Sequence, residues 1–151
     1  MATKVNIAID AMGGENSPKK IIEGIKISLK KNKENFFYLY GSKNILEKEI
    51  EKNKFIKPYC EIVNTKEFIL DDESPFVAAK KGNSTSMWKA IESQKDKMTD
   101  ISLSAGNTGA LLVISRLILN TINGISKPAL AGLWPNEYGM SVVLDLGANI
   151  D

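Results

Sequence analysis

Residues 101–110 read Ile-Ser-Leu-Ser-Ala-Gly-Asn-Thr-Gly-Ala, a short apolar strand that runs through a glycine loop into an apolar helix. The chain begins in the same way, because the apolar run at residues 5–9 leads into Gly13 and Gly14. Ser17 then provides an N-cap and Pro18 a first helical residue for the next helix. Strands that alternate with helices are typical of a parallel sheet covered on both faces. The sequence therefore predicts a single α/β domain with a mostly parallel sheet and helices on both faces.

The other elements follow from hydrophobic spacing and from glycine, serine and proline signals. We predict further strands at residues 36–40, 59–63, 101–103, 129–133 and 141–144, and residues 66–70 extend or pair with the third strand. We predict helices at residues 18–31, 42–52, 75–81 and 110–121, and a further helix that starts near Ser84 or Thr85 and carries Met87, Trp88 and Ile91.

The composition excludes several kinds of chemistry. With 43% apolar and 25% charged residues in 151, the chain is an ordinary globular protein. It has no histidine, so it holds no His-ligated metal site and no Ser-His or Cys-His nucleophile pair. Its one cysteine, Cys60, cannot form an internal disulfide and fits a reducing compartment. A net charge of +2 gives no reason to expect nucleic acid.

Signals for export or membrane insertion are missing from the sequence. The first residues lack the apolar run of a secretory signal. The longest apolar stretch, at residues 110–119, contains Ser115 and Arg116 and is far shorter than the ~20 residues that span a bilayer. We expect a cytoplasmic protein and leave a peripheral membrane association open.

Three predicted strands end in similar loops, and this points to a binding site. The carboxyl ends of parallel strands meet at one edge of a sheet, where ligands bind. Glycines there expose backbone N–H groups, and a helix N-terminus attracts anions. The sequence therefore predicts a crevice for a small anion, because neither the dinucleotide nor the P-loop pattern is present. The three loops are Asp10 with Gly13 and Gly14, Ser104 with Gly106, Asn107, Thr108 and Gly109, and Asp145 with Gly147 and Asn149.

Each of these residues also has a purely structural interpretation. Asp10 and Asp145 are suited to capping their own loops. Lys81 lies in a predicted last helical turn, where solvated lysines compensate the helix dipole. Ser86 lies where it can help to cap the next helix. Arg116 faces either a cleft or a subunit interface.

Five segments together resemble the bacterial phosphate acyltransferases of phospholipid synthesis (the PlsX family). They occur in that family's order and extend from Ile7 to Asn149. The segments are Ile-Ala-Ile-Asp-Ala-Met-Gly-Gly at 7–14, Thr-Ser-Met-Trp at 85–88, Ser-Ala-Gly-Asn-Thr-Gly-Ala at 104–110, Gly-Ile-Ser-Lys-Pro-Ala at 124–129 and Leu-Asp-Leu-Gly-Ala-Asn at 144–149.

The resemblance implies transfer of a long-chain acyl group from the thioester of acyl carrier protein to inorganic phosphate. It implies a fold related to isocitrate and isopropylmalate dehydrogenases and to phosphate acetyltransferase, a homodimer, and no cofactor or metal. Members are longer, so we expect residues 1–151 to be the N-terminal portion of such an enzyme. Two alternatives remain: an acyl-CoA-dependent enzyme like phosphate acetyltransferase, and a non-catalytic fragment or binding module.

Given this resemblance, the site residues divide into two groups. The expected catalytic residues are Asn107, Thr108, Asp10 and Asp145. The expected phosphate- and substrate-binding residues are Gly13, Gly14, Ser86, Ser104, Gly106, Gly109, Gly147, Asn149 and Lys81. Anionic Asp10 and Asp145 orient backbone or side-chain donors and do not touch phosphate. We expect Asn107→Ala to weaken phosphate binding and leave folding nearly intact.

Overall fold

The computed structural model describes residues 4–144 of the chain. Its helices and strands follow one another as β1 (Asn6–Asp10), α1 (Lys19–Lys31), β2 (Phe36–Gly41), α2 (Lys43–Lys52), β3 (Cys60–Asn64), α3 (Pro75–Lys81), α4 (Ser86–Lys95), β4 (Ile101–Ser104), α5 (Thr108–Leu119), β5 (Ala131–Asn136) and β6 (Gly139–Leu144). Short 3-10 turns at Lys54–Tyr59 and Gly82–Ser84 precede β3 and α4. Across residues 4–144, none of the helices is both long and apolar enough to cross a bilayer.

Four of the strands form one parallel sheet in the order β3-β2-β1-β4. β1 lies in the interior of this sheet, and each of its residues from Ile7 to Asp10 is buried. The register places Asp10 beside Ser104 of β4 on one side and Tyr40 of β2 on the other. The predicted α/β fold is confirmed. Asp10, the last residue of β1, lies near the middle of the sheet edge that is formed by the carboxyl ends of the strands (the carboxyl edge).

Helices cover both faces of the sheet, as predicted. On one face, Ile9 of β1 packs with Ile22 and Leu29 of α1 in a cluster that also takes in α2. On the other face, Ala8 packs with Ala90 of α4. A third cluster joins α3, α4 and α5. Because neighbouring residues of a strand point to opposite faces, Asp10 lies on the α4 face with Ala8.

The helix starts follow the predicted signals only in part, because neither Ser42 before α2 nor Ser74 before α3 makes a side-chain cap hydrogen bond. Ser74 and Pro75 begin α3, and Thr85 caps α4 by accepting a hydrogen bond from the amide of Trp88. At α1 the N-cap residue is Pro18 and not Ser17. The Ser17 hydroxyl instead donates to the carbonyl of Gly13 at 2.5 Å, which ties the glycine loop to the helix.

Two predictions about strands are wrong. Residues 66–70 form no strand. Within residues 4–144, their strand-like pairing is limited to an isolated bridge between Glu67 and Thr85. β6 does not join the parallel sheet, because it pairs with β5 as an antiparallel hairpin. Only two residues separate β5 from β6, whereas a parallel pair needs a crossover of about a dozen.

Met87, Cys60 and Arg116 lie outside the candidate site. Met87 is buried in the cluster of α3, α4 and α5. Cys60 is partly buried beside β2, and this burial raises the pKa of its thiol from 9.0 to about 12. Cys60 is therefore a protonated, unreactive thiol near neutral pH. Arg116 is exposed.

Candidate functional site

Asp10 is the buried centre of the carboxyl edge. One carboxylate oxygen, Oδ1, accepts from the Ser86 hydroxyl at 2.6 Å, and Oδ2 accepts from the Ser104 hydroxyl at 2.8 Å. The Ser104 Oγ accepts in turn from the amide of Gly106 at 3.1 Å. Only 1% of Asp10 is exposed, so its hydrogen bonds must come from the protein. Asp10 therefore joins α4, β4 and the loop after β4.

The glycine loops after β1 and β4 are in backbone contact. A Cβ on Gly106 would lie 3.0 Å from the Cα of Gly13. A Cβ on Gly13 would lie 2.5 Å from Asp10 Oδ2, and one on Gly14 would collide with the carbonyl oxygen of Ala105. Gly14 also has a φ of +88°, which L residues with side chains rarely adopt. Only glycine lets the two loops meet this closely.

Asn107 is the N-cap of α5 and also anchors a neighbouring loop. Its Oδ1 accepts from the amide of Ala110 at 2.9 Å. Its Nδ2 donates to backbone carbonyls, at 2.7 Å for Glu73, 3.1 Å for Asp71 and 3.4 Å for Leu70. Both ends of the Asn107 amide are thus engaged within the chain, and residues 70–73 are fastened to the start of α5.

Glu73 links this loop to α3. Its Oε2 accepts from Lys81 Nζ at 2.7 Å and from the amide of Leu70 at 3.3 Å. The hydrogen bond from Lys81 is the main reason why the pKa of Glu73 lies below its usual value, and the amide of Leu70 lowers it further. Lys81 therefore compensates the charge of Glu73 in this loop.

Among the described residues, the first two amides of α5 lack a hydrogen-bond acceptor, as is common in the first turn of a helix. The Ala110 amide donates to the Asn107 side chain and the Leu111 amide donates to the Asn107 carbonyl. For Thr108 and Gly109, residues 4–144 supply no hydrogen-bond acceptor to the backbone N–H. These two N–H groups stand at the positive end of a twelve-residue helix, which is a favourable place for an anion.

Gly109 has a packing role as well. A Cβ at Gly109 would lie 2.7 Å from Cγ of Pro75, the first residue of α3. The N-termini of α5 and α3 therefore meet at this glycine. The side chain of Thr108 is exposed beside it, where it is open to a bound group.

A family profile described as "Fatty acid synthesis protein" matches residues 5–151, nearly the whole chain. The chain belongs to this family. The match includes both glycine loops and the start of α5, so the geometry above is that of a family member.

Curated relatives carry one common name. A protein of Pelagibacter ubique (strain HTCC1062) named "Phosphate acyltransferase" is 52% identical over 151 residues, which are 100% of this chain and 45% of the relative. Proteins with the same name from Bradyrhizobium diazoefficiens and Rhodopseudomonas palustris (strain TIE-1) are 44% and 42% identical, over 99% of this chain and 43% of each relative. The chain spans less than half the length of these relatives.

Most of the predicted site residues lie together at the carboxyl edge. The structure brings into one cluster Asp10, Gly13, Gly14, Ser86, Ser104, Gly106, Asn107, Thr108 and Gly109. Their roles in binding and catalysis stay predictions. Ser86 is fully buried against Asp10, and Lys81 is paired with Glu73. Asp145, Gly147 and Asn149 lie outside the described residues.

Residues 70–73 were not predicted to belong to the site. Their backbone carbonyls hold Asn107, and the Glu73 carboxylate holds Lys81. The signal for them is the acidic run Asp71-Asp72-Glu73 directly before the Ser74-Pro75 helix start. An acidic run is usually solvated, so it gave no reason to place this segment at the site.

Proposed function

We propose that the protein transfers a long-chain fatty acyl group from the thioester of acyl carrier protein to inorganic phosphate, as part of phospholipid synthesis. The observation that carries this proposal is the pair of unoccupied N–H groups of Thr108 and Gly109 at the N-terminus of α5. They stand beside interlocked glycine loops in a chain whose relatives are named phosphate acyltransferase.

The reaction needs a positioned nucleophile and a polarised carbonyl. A phosphate oxygen attacks the thioester carbon, the new C–O bond forms, and the C–S bond breaks. The sulfur leaves as the thiolate of the carrier protein and takes a proton from solvent. Phosphate is already anionic near neutral pH, so no histidine base is required, in keeping with a chain that has none. Catalysis then rests on orientation and on fixed donors.

Different residues of this chain bind phosphate and position the loop that binds it. The amides of Thr108 and Gly109 hold phosphate, with the Thr108 hydroxyl beside it. Asp10 is a positioning residue, because its carboxylate accepts hydrogen bonds from the Ser104 hydroxyl, the Ser86 hydroxyl of α4 and the amide of Met12. It is buried behind the glycine backbone, which keeps its negative charge away from a bound anion.

A homodimer is part of the proposal. The β5–β6 hairpin exposes large apolar side chains, and an isolated two-stranded hairpin has little stability of its own in water. Those side chains include Leu133, Trp134, Val142 and Leu144. Sedimentation velocity on the purified protein measures this part directly, and a monomer at all concentrations would contradict it.

Acyl phosphate formation tests the function. Purified protein is mixed with phosphate and either a hexadecanoyl thioester of acyl carrier protein or the same thioester of coenzyme A, and acyl phosphate is trapped with hydroxylamine. We expect phosphate-dependent product from the carrier-protein thioester. Product from the coenzyme A thioester alone would favour an enzyme like phosphate acetyltransferase, and no product from either would contradict the proposed function.

A further inference from the structure

Ser86 is the first residue of α4 and is fully enclosed by the chain. Its amide donates to the carbonyl of Glu67 at 3.0 Å, which fixes the backbone of Ser86 against the preceding loop. The neighbouring Thr85 is equally buried and caps the helix by accepting from the amide of Trp88. The Ser86 hydroxyl therefore has a fixed position that a ligand at the surface of the site does not reach.

The Ser86 hydroxyl begins a chain of three hydrogen bonds. It donates to Oδ1 of Asp10 at 2.6 Å. Ser104 donates to Oδ2 of Asp10 at 2.8 Å, and Ser104 Oγ accepts from the amide of Gly106 at 3.1 Å. A carboxylate only accepts hydrogen bonds, so both hydroxyl hydrogens must point at Asp10. The single hydrogen of the Ser104 hydroxyl is thus used by Asp10, and its lone pairs are left for the amide of Gly106.

This chain of hydrogen bonds depends on Ser86 because Asp10 has no cationic partner. In the part of the chain that the structure describes, none of the ion pairs includes Asp10. Its charge is compensated by hydrogen-bond donors and by the positive end of α4, where Ser86 lies. Without the Ser86 hydroxyl, Oδ1 would keep only the amide of Met12, at 3.4 Å. A buried carboxylate that loses a donor turns towards other donors, and this turn would change how Oδ2 meets the Ser104 hydroxyl.

We propose that Ser86 is a positioning residue for the phosphate site: its hydroxyl holds the Asp10 carboxylate, and the carboxylate sets the loop that leads into α5 through Ser104. The assignment rests on the proposed function for the identity of the ligand. Gly106, at the end of the chain of hydrogen bonds, directly precedes Asn107, the N-cap of α5. A movement at Gly106 therefore displaces the first amides of α5, where phosphate binds in the proposed function.

A double-mutant cycle tests the assignment. Ser86→Ala and Ser104→Ala are made singly and together, and a melting curve verifies that each variant is folded. The matched control is Ser93→Ala, which removes another buried hydroxyl from the same helix. The Ser93 hydroxyl donates to the carbonyl of Ala90 and shares a hydrogen bond with Thr99, and neither residue belongs to the site. Ser86→Cys keeps a weak donor and carries the same comparison if Ser86→Ala does not fold.

Three quantities are measured for each variant. The exchange rate of the Gly106 amide hydrogen, measured without phosphate, reports on the last hydrogen bond of the chain. The dissociation constant for inorganic phosphate, measured from the amide shifts of α5, reports on binding. The values of kcat and KM for phosphate, with the hexadecanoyl thioester of acyl carrier protein as donor, report on acyl transfer.

We expect Ser86→Ala to raise the Gly106 exchange rate, the dissociation constant and KM for phosphate by about twofold to tenfold, which corresponds to one hydrogen bond. Ser86→Cys should lie between Ser86→Ala and the unchanged protein. In the Ser104→Ala background, Ser86→Ala should have no further effect, because the path to Gly106 is already interrupted. Ser93→Ala should leave all of these values unchanged. Effects of Ser86→Ala and Ser104→Ala that multiply, or an equal effect of Ser93→Ala, would overturn the assignment.

The exchange measurement separates this assignment from the proposed function. Faster Gly106 exchange in Ser86→Ala, when the unchanged protein neither binds phosphate nor transfers an acyl group, would support the positioning of the loop by Ser86 and contradict the proposed function. Unchanged Gly106 exchange and phosphate binding in Ser86→Ala, when the unchanged protein transfers the acyl group, would overturn the assignment alone.

Discussion

The hydroxyl of Ser104 donates to the carboxylate of Asp10 at 2.8 Å and joins the ends of two adjacent strands whose residues are 94 positions apart. The same oxygen accepts from the amide of Gly106 at 3.1 Å. One buried carboxylate thus fixes the loop that leads into α5. The site depends on this contact because glycine loops have little side-chain packing of their own to hold them.

Removing the Ser104 hydroxyl should loosen the loop. We expect Ser104→Ala to lower the free energy of unfolding by about 1–3 kcal/mol, because the buried Asp10 carboxylate loses one of its hydroxyl donors. Urea denaturation measures this loss. The control is Ser102→Ala on the same strand, where the hydroxyl donates to the side chain of Gln94 and not to a carboxylate, with an expected loss of about 0.5–1.5 kcal/mol. Equal losses of unfolding free energy in the two variants would contradict a stronger contribution from the hydrogen bond to Asp10.

Gly14 should not tolerate a side chain. In Gly14→Ala the new Cβ would collide with the carbonyl of Ala105 at a positive φ, so we expect a loss of more than about 1 kcal/mol. Gly24→Ala has neither problem and should raise stability by about 0.5–1 kcal/mol. Thermal denaturation of the two variants gives the comparison. A stable Gly14→Ala protein would mean that the loops do not touch as described.

Asn107→Ala should destabilise the protein, because the structure shows contacts of Asn107 that the sequence alone does not indicate. The side chain caps α5 and holds three carbonyls, so we expect a loss of about 0.5–2 kcal/mol from the cap alone. Asn107→Asp keeps the cap acceptor and loses the Nδ2 donor. Hydrogen exchange should therefore show α5 protected in Asn107→Asp but frayed in Asn107→Ala. Equal fraying would contradict the cap.

The Lys81–Glu73 pair should be sensitive to acid. Because the pKa of Glu73 is lowered in the folded protein, its stabilising effect is present above the ordinary glutamate pKa and is lost as the pH falls through the lowered value. Carboxyl chemical shifts measured against pH should give a Glu73 pKa below normal, which rises in Lys81→Met. An unchanged Glu73 pKa in that variant would contradict the pairing.

Local signals in the sequence predicted much of the parallel sheet. The Ser74-Pro75 helix start, the Thr85 cap and the apolar strands are short-range features, and the order of strands and helices follows from them. The sequence also grouped Asp10 with Ser104, because the carboxyl ends of parallel strands must meet at one edge. Strand pairing and contacts between residues far apart in the sequence were harder to predict.

The failures have physical causes. Residues 129–144 have strand composition, but the short link between β5 and β6 decides that they pair with each other and not with the sheet. The contact of Asn107 with residues 70–73 was not predicted, because nothing in the sequence indicates that their carbonyls come within reach of its amide. The role of Asn107 in phosphate binding stays a prediction. Contacts between distant loops depend on tertiary packing, which local patterns do not encode.

The central claim is that phosphate binds at the N-terminus of α5. A titration followed by amide NMR tests this claim most directly. Labelled protein is titrated with inorganic phosphate and, at matched ionic strength, with chloride. We expect saturable shifts of the Thr108 and Gly109 amides, with smaller shifts at Gly13 and Gly106, in phosphate alone. Absent shifts, or equal shifts in both salts, would contradict the claim.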